Sequence, residues 1–249
     1  MGKLDGKVAL ITGGNSGIGL ATARLFKESG ARVIITARLT ASFEKAKKEL
    51  NHSFDLIQTD VSNLQDLDRL YDHIKNAYGG LDVLFANAGI AWLKPTVEVD
   101  TEHFDAQFNT NVRGLYFTVA KALPLLRKGS SVILNASLAA RKGIQGGSVY
   151  AATKAAVRSF ARSWTVEISA EKTRFNVLSP GPVETPIFGK LGMPAADVQG
   201  WSDNMKKTTS LHRFGRPEEM ATIALFLACS DSSYVCGADI LADGGIAQV

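Results

Sequence analysis

The sequence predicts an α/β protein: a single-domain, doubly wound (Rossmann-type) parallel sheet of seven strands with helices on both faces. Three observations carry this expectation. Short, continuously apolar runs recur along the chain, as strands buried on both faces require. Segments with helical spacing of apolar residues lie between them. The first apolar run passes directly into a cluster of glycines, at positions 13, 14, 17 and 19.

Taken in order, residues 7–12 read as the first strand. Leu20, Ala21, Ala23, Leu25 and Phe26 then open a helix that Gly30 ends, and residues 31–36 complete a βαβ unit. A helix is predicted over 42–50 and a strand over 54–58. Ser62, with Gln65 three residues later, fits a capping box ahead of a helix carrying Leu64, Leu67, Leu70, Tyr71, Ile74 and Ala77 on one stripe. Residues 82–86 form the fourth strand. One long helix is predicted over 101–127, followed by a fifth strand at 131–135. The helix of Tyr150 runs to about Ala170, and 174–178 is the sixth strand. Residues 184–215 mix Pro, Gly, polar and large apolar side chains, the composition of a mobile substrate lid. Pro217 opens the last helix, and a final strand at 239–242 precedes a Gly-rich tail. No repeat, linker or composition break interrupts the 249 residues, so one domain spanning 1–249 is expected.

Composition narrows the function. Hydrophobic residues at 45% and charged residues at 21% supply an ordinary globular core and surface. The charge of +4 and pI near 9.0 are spread along the chain, apart from Lys45, Lys47 and Lys48. A nucleic-acid-binding protein would carry a denser stripe, so no nucleic-acid partner is expected. Two cysteines without CxxC spacing, and no clustered histidines, argue against a metal site or a disulfide framework. No signal region and no apolar run of ~18–20 residues appear, so a cytoplasmic protein without a membrane segment is expected.

The glycines stand as G-x-x-x-G-x-G, not G-x-G-x-x-G, yet they meet the same physical need. Gly13 permits a tight turn, Gly17 lets backbone approach a pyrophosphate, and Gly19 lets the helix pack on the strand. The second strand ends Thr36-Ala37-Arg38, without the carboxylate that would bind the adenosine ribose of NAD. Arg38 is instead placed to pair with a 2′-phosphate, with Ser16 or Thr36 as hydroxyl donors, which favours NADP(H) while leaving NAD(H) possible. Asp60 and Val61, ending the third strand, are placed to contact adenine; equally, Asp60 can serve only as a turn acid.

Tyr150 and Lys154 stand four residues apart on one helical face. A phenol near pKa ~10 carries protons poorly at neutral pH, and a fixed positive charge beside it favours the phenolate. Lowering it by ~2–3 units corresponds to ~3–4 kcal/mol. Ser137 can hold a polar substrate atom nearby. Thr12, Asn87, Ser137 and Pro180 all fall at the carboxyl ends of predicted strands, where ligands bind in such sheets.

The order and spacing of residues 12–19, Asn87-Ala88-Gly89, Ser137, residues 150–154 and Pro180-Gly181 resemble the short-chain dehydrogenase/reductase family over essentially the whole chain. The resemblance implies that Tyr150 is the catalytic acid/base and that Ser137 steadies the substrate carbonyl. It further implies that Lys154 lowers the Tyr150 pKa and binds the nicotinamide ribose, and that Asn111 holds a relay water. It also implies cofactor contacts from Gly13, Asn15, Ser16, Gly17, Ile18 and Gly19, and from Asp60, Val61, Asn87, Ala88 and Gly89. Tyr150, Lys154, Pro180, Gly181, Val183 and Thr185 would complete that surface. Ala86 stands where the family often has asparagine, and Leu138-Ala139-Ala140 is bulkier than in many relatives.

The expected reaction is hydride transfer between nicotinamide and a carbonyl or secondary alcohol, with no metal. Ile187, Phe188, Leu191, Met193, Trp201 and Met205, with Trp92 and Leu93, suit an apolar or aromatic ketone. A homotetramer is implied by the resemblance. Two alternatives remain open. A 3-oxoacyl-[acyl-carrier-protein] reductase would use Arg141, Lys142 and Arg158 to meet an acidic carrier. A non-enzymatic NADP(H) sensor would have no use for the full set of Asn111, Ser137, Tyr150 and Lys154.

Overall fold

The structure, a computed structural model, describes residues 2–38, 43–44, 46, 48, 54–169, 173–192 and 195–247. Most of the helix predicted over 42–50, and the lysines 45 and 47, lie outside the described residues. Seven strands form one parallel sheet: β1 (Val8–Thr12), β2 (Arg32–Ala37), β3 (Asp55–Gln58), β4 (Leu81–Ala86), β5 (Leu126–Asn135), β6 (Arg174–Pro180) and β7 (Asp239–Ala242). Their order, β3-β2-β1-β4-β5-β6-β7, reverses direction at β1. The connections leaving the carboxyl ends of β1 and β4 therefore part to opposite sides and open a crevice there.

The two-residue alternation within each strand divides the core. Val8 and Leu10 of β1, Leu84 of β4 and Val132 and Leu134 of β5 face α2 (Leu64–Tyr78), with Leu67, Leu70 and Ile74 packed on them. Ala9, Ile11, Val83, Phe85 and Ile133 face the other way, against Phe26 of α1 (Gly17–Glu28) and Ala224 and Leu227 of α7 (Pro217–Ala228). α7 begins as expected, with Pro217 in its first turn and the Glu219 carboxylate accepting from the Arg216 N–H at 2.7 Å.

Several predicted boundaries change. The capping box at Ser62 does not form: Asn63 caps α2 by accepting from the Gln65 N–H, while the Ser62 hydroxyl donates to Asp60 at 2.6 Å. The long helix over 101–127 is broken. It comprises α3 (Thr101–Phe108), a π-helical turn at Asn109–Gly114 and α4 (Leu115–Ala122), and Pro124 then stops it. β5 consequently starts at Leu126, five residues early, with a register shift against β4. The segment 184–215 is not irregular throughout, because it holds α6 (Ala195–Thr208). Its base is tied shut by Gly215 N–H to Pro182 C=O and Glu184 N–H to Gly215 C=O, both 2.9 Å. α5 (Ser148–Ile168) carries Tyr150 near its start. No helix among the described residues is long and apolar enough to cross a membrane.

Candidate active site

The crevice is built first from backbone. Gly13 has φ +65°, and its turn brings Thr12 and Asn87 together. The Thr12 hydroxyl accepts from the N–H groups of Asn87 and Ala88, both at 3.0 Å, and Asn87 Nδ2 donates to the Thr12 carbonyl at 2.9 Å. A Cβ on Gly19 would stand 2.4 Å from the Gly13 carbonyl oxygen, so only glycine lets α1 approach this closely. Ser16 caps α1 without a side-chain hydrogen bond, leaving its hydroxyl and the first-turn N–H groups for an anion. These features fit a dinucleotide pyrophosphate. At the end of β2 stand Ala37 and the exposed Arg38, and just before them the buried Thr36 hydroxyl has no partner among the described residues.

Ile18, Asn87, Gly89, Tyr150, Lys154, Pro180, Gly181, Val183 and Thr185 line a cleft of about 1100 Å³. Gly13, Asn15, Ser16, Gly17, Gly19, Arg38, Asp60, Val61 and Ala88 do not line it; they follow the ends of β1 to β4 beside it. Asp60 serves the turn: its carboxylate accepts from the Ser62 N–H and hydroxyl. The Val61 side chain belongs to the core. Thr185 reaches across to α1, its methyl 3.0 Å from where a Cβ on Gly17 would lie.

Ser137, Tyr150, Lys154 and Asn111 converge from three elements. Ser137 follows β5, where its hydroxyl accepts from the Ala139 N–H at 3.2 Å, and it lines the cleft with Tyr150. Lys154, 4% exposed, lies one helical turn beyond Tyr150 with Nζ 5.7 Å from the phenol ring centre. Its Nζ donates to the Asn135 carbonyl at 2.8 Å. Asn111 sits on the π-helical turn, fully buried. Its carboxamide accepts from Ile90 N–H at 2.9 Å and donates to Ile90 C=O at 2.8 Å and to the Thr153 hydroxyl at 3.1 Å. Both amide hydrogens of Asn111 are thus committed, leaving the second lone pair of Oδ1 for a water.

The electrostatics differ from the expectation in one respect. Burial pushes the Tyr150 phenol above its ordinary range, and the nearby Ser137 hydroxyl pulls only partly against it. Burial likewise weakens the Lys154 ammonium, whose pKa falls to about 8.

Trp92, Leu93, Ile187, Phe188, Leu191, Trp201 and Met205 all line the cleft; Met193 lies outside the described residues. Leu93 N–H donates to Leu191 C=O at 2.8 Å, and Lys94 N–H to Gly146 C=O at 2.8 Å, which knits three loops into one wall. Arg141 and Arg158 both pair with Asp239 at 2.8 Å, and Lys142 Nζ donates to the Ile246 carbonyl. His103, Gln107 and Asn135 escaped the sequence reading. The one available signal was Gln107, which stands four residues before Asn111.

Comparison with known proteins agrees with this geometry. Residues 13–247 match the family described as Enoyl-(Acyl carrier protein) reductase. The chain is 40% identical over 253 residues to the oxidoreductase asL5 of Sarocladium schorii, covering 99% of this chain and 98% of that protein. It is 34% identical to the 3-oxoacyl-[acyl-carrier-protein] reductase FabG of Thermotoga maritima, over 98% and 99% of the two chains. A crystal structure of a short-chain dehydrogenase/reductase from Brucella melitensis superposes with a TM-score of 0.90 at 32% identity, over 98% of each chain. The chain belongs to the short-chain dehydrogenase/reductase family. It is an NAD(P)-dependent oxidoreductase acting on a small molecule.

Proposed function

We propose that the protein is an NADP(H)-dependent carbonyl reductase that interconverts an apolar or aromatic ketone and its secondary alcohol, with Tyr150 as proton donor. The carrying observation is that Ser137, the Tyr150 phenol and buried Lys154 meet in the wall of one cleft. The nicotinamide, when bound, supplies the hydride. Ser137 Oγ and Tyr150 Oη converge on the substrate oxygen, and Tyr150 gives it the proton. Lys154, with a pKa of about 8, holds a proton that can be returned to the phenol near neutral pH. Gly13, Ser16, Gly17 and the first turn of α1 hold the pyrophosphate. Arg38 meets the 2′-phosphate, a preference for NADP(H) supported by the missing carboxylate after β2.

The largely apolar wall favours a ketone without charge. The likeness to FabG raises the acyl-carrier substrate, but Arg141 and Arg158 are engaged by Asp239, which argues against a carrier patch there. The 1–249 chain acts as one domain, and residues 184–215 serve as its substrate lid. Four copies assemble through α4 and α5, a reading supported by exposed Tyr116, whose ring packs edge-on to Phe160 and tilted against Trp164.

The test is Tyr150→Phe, assayed as NADPH oxidation at ~340 nm with a ketone panel and an acetoacetyl thioester. Turnover should fall about 10²–10⁴-fold, the usual size of an acid/base contribution, while NADPH binding stays within twofold. Wild-type-like turnover in this variant removes Tyr150 from the mechanism; thioester reduction favoured over every ketone reverses the substrate reading.

A further inference from the structure

Two amide side chains, four residues apart, grip the loop that floors the cleft. Asn111 clasps Ile90, and the fully buried Gln107 clasps Trp92 in the same two-point way. Gln107 Oε1 accepts from Trp92 N–H at 3.2 Å, and Nε2 donates to Trp92 C=O at 3.3 Å. The Trp92 backbone therefore dictates which end of the amide is which. Gln107 Nε2 also lies 2.9 Å from Nε2 of His103. An amide nitrogen only donates, so His103 Nε2 must supply the lone pair, and the ring proton sits on Nδ1. Among the described residues that Nδ1–H has no hydrogen-bond partner, and it is not one of the sealed polar atoms. His103 lines the cleft, its ring 5.9 Å from that of Trp92.

We propose that His103 is a substrate-recognition residue whose Nδ1–H donates to an oxygen the substrate carries away from the carbonyl being reduced. The inference rests on the reading of the cleft as a ketone site. His103 lies eight residues before Asn111, about 12 Å along the helix at 1.5 Å per residue. Asn111 in turn touches Thr153, the neighbour of Lys154. The second oxygen therefore sits about the length of a ring system from the reacting carbon, which selects oxygenated ketones of two rings or more. Leu93, Ile144, Phe188 and Trp201 of the same wall suit the rings, and the His103 donor discriminates by being left unpaired when an analogue lacks the oxygen.

Calorimetric titration of the NADP⁺-loaded enzyme, which cannot reduce a ketone, tests this without chemistry. Two pairs serve: 1-tetralone with 6-methoxy-1-tetralone, and 4-acetylbiphenyl with its 4′-methoxy derivative. In at least one pair the methoxy ketone should bind about tenfold tighter. His103→Phe, which keeps a ring against Trp92, should erase the difference, and His103→Gln, which restores an N–H donor, should recover part of it. Equal binding within both wild-type pairs, or a preference that survives His103→Phe, overturns the proposal. If NADPH-loaded enzyme reduces none of these ketones while the binding preference holds, the reductase reading fails and the His103 assignment stands.

Discussion

The Lys154 ammonium donates to the main-chain carbonyl of Asn135 at 2.8 Å, at the point where β5 ends. The side chain of the same asparagine donates to Asn87 Oδ1 at 2.9 Å, and Asn87 Nδ2 donates to the Thr12 and Gly13 carbonyls. One hydrogen-bonded chain thus links the proposed proton-holding group to the glycine turn. Those two carbonyls orient both amides, because each must receive an N–H. Among the described residues, Asn135 Oδ1 is consequently left buried without a partner.

Burying Lys154 costs stability, and the sign follows from its pKa. The folded value, about 8, lies below the ordinary 10.5, so folding disfavours the charged form. Above pH 10.5 the group is neutral in both states and costs nothing. As pH falls toward 8 the unfolded chain takes up the proton first, and the cost grows to about 3 kcal/mol, less the hydrogen bond to Asn135. Lys154→Met should therefore melt above wild type at pH 7, with the gap closing by pH 10.5, while reducing no ketone. A gap that ignores pH would mean that packing, not ionisation, sets it.

Gly19→Ala should separate α1 from the turn, because the new Cβ would meet the Gly13 carbonyl at 2.4 Å and Asn87 Nδ2 at 2.6 Å. We expect loss of about 1–3 kcal/mol in stability and at least tenfold weaker dinucleotide binding. Melting curves and fluorescence titration with NADPH report the two effects separately. Unaltered affinity would take the turn out of the binding site.

Arg38 stands exposed just past β2, where no carboxylate competes for a ribose. In kcat/KM the wild type should prefer NADPH over NADH, and Arg38→Ala should narrow the ratio about tenfold, mainly through KM for NADPH. An unchanged ratio excludes this arginine as the phosphate partner.

Val166 on α5 is 87% exposed, on the helix that also carries Phe160 and Trp164. Val166→Glu should convert an assembly of four copies to smaller species in sedimentation velocity. A tetramer that persists in this variant removes this face from the interface.

The sheet was readable in advance because strands buried on both faces demand continuous apolar runs, and glycine alone satisfies the crowding at position 19. The Tyr150–Lys154 pairing was equally readable, since helical periodicity puts the two on one face. The π-turn at Asn109–Gly114 was not, because one extra residue per turn leaves no compositional mark. α6 was also missed: polar residues and Gly200 in the helix mask its weak apolar stripe.

Local sequence by itself determined the order of strands and helices along the chain, the glycine turn and the spacing of Tyr150 and Lys154, all of which depend on near neighbours in the chain. Only the tertiary structure decided that burial would lower the Lys154 pKa to about 8 and that the Asn135 carbonyl would hold its ammonium. It also decided that Gln107 would set the His103 proton, and that Asp239 would claim two arginines that composition alone left available. Those outcomes depend on dielectric surroundings and on donor–acceptor matching between segments distant in sequence, which no local pattern records.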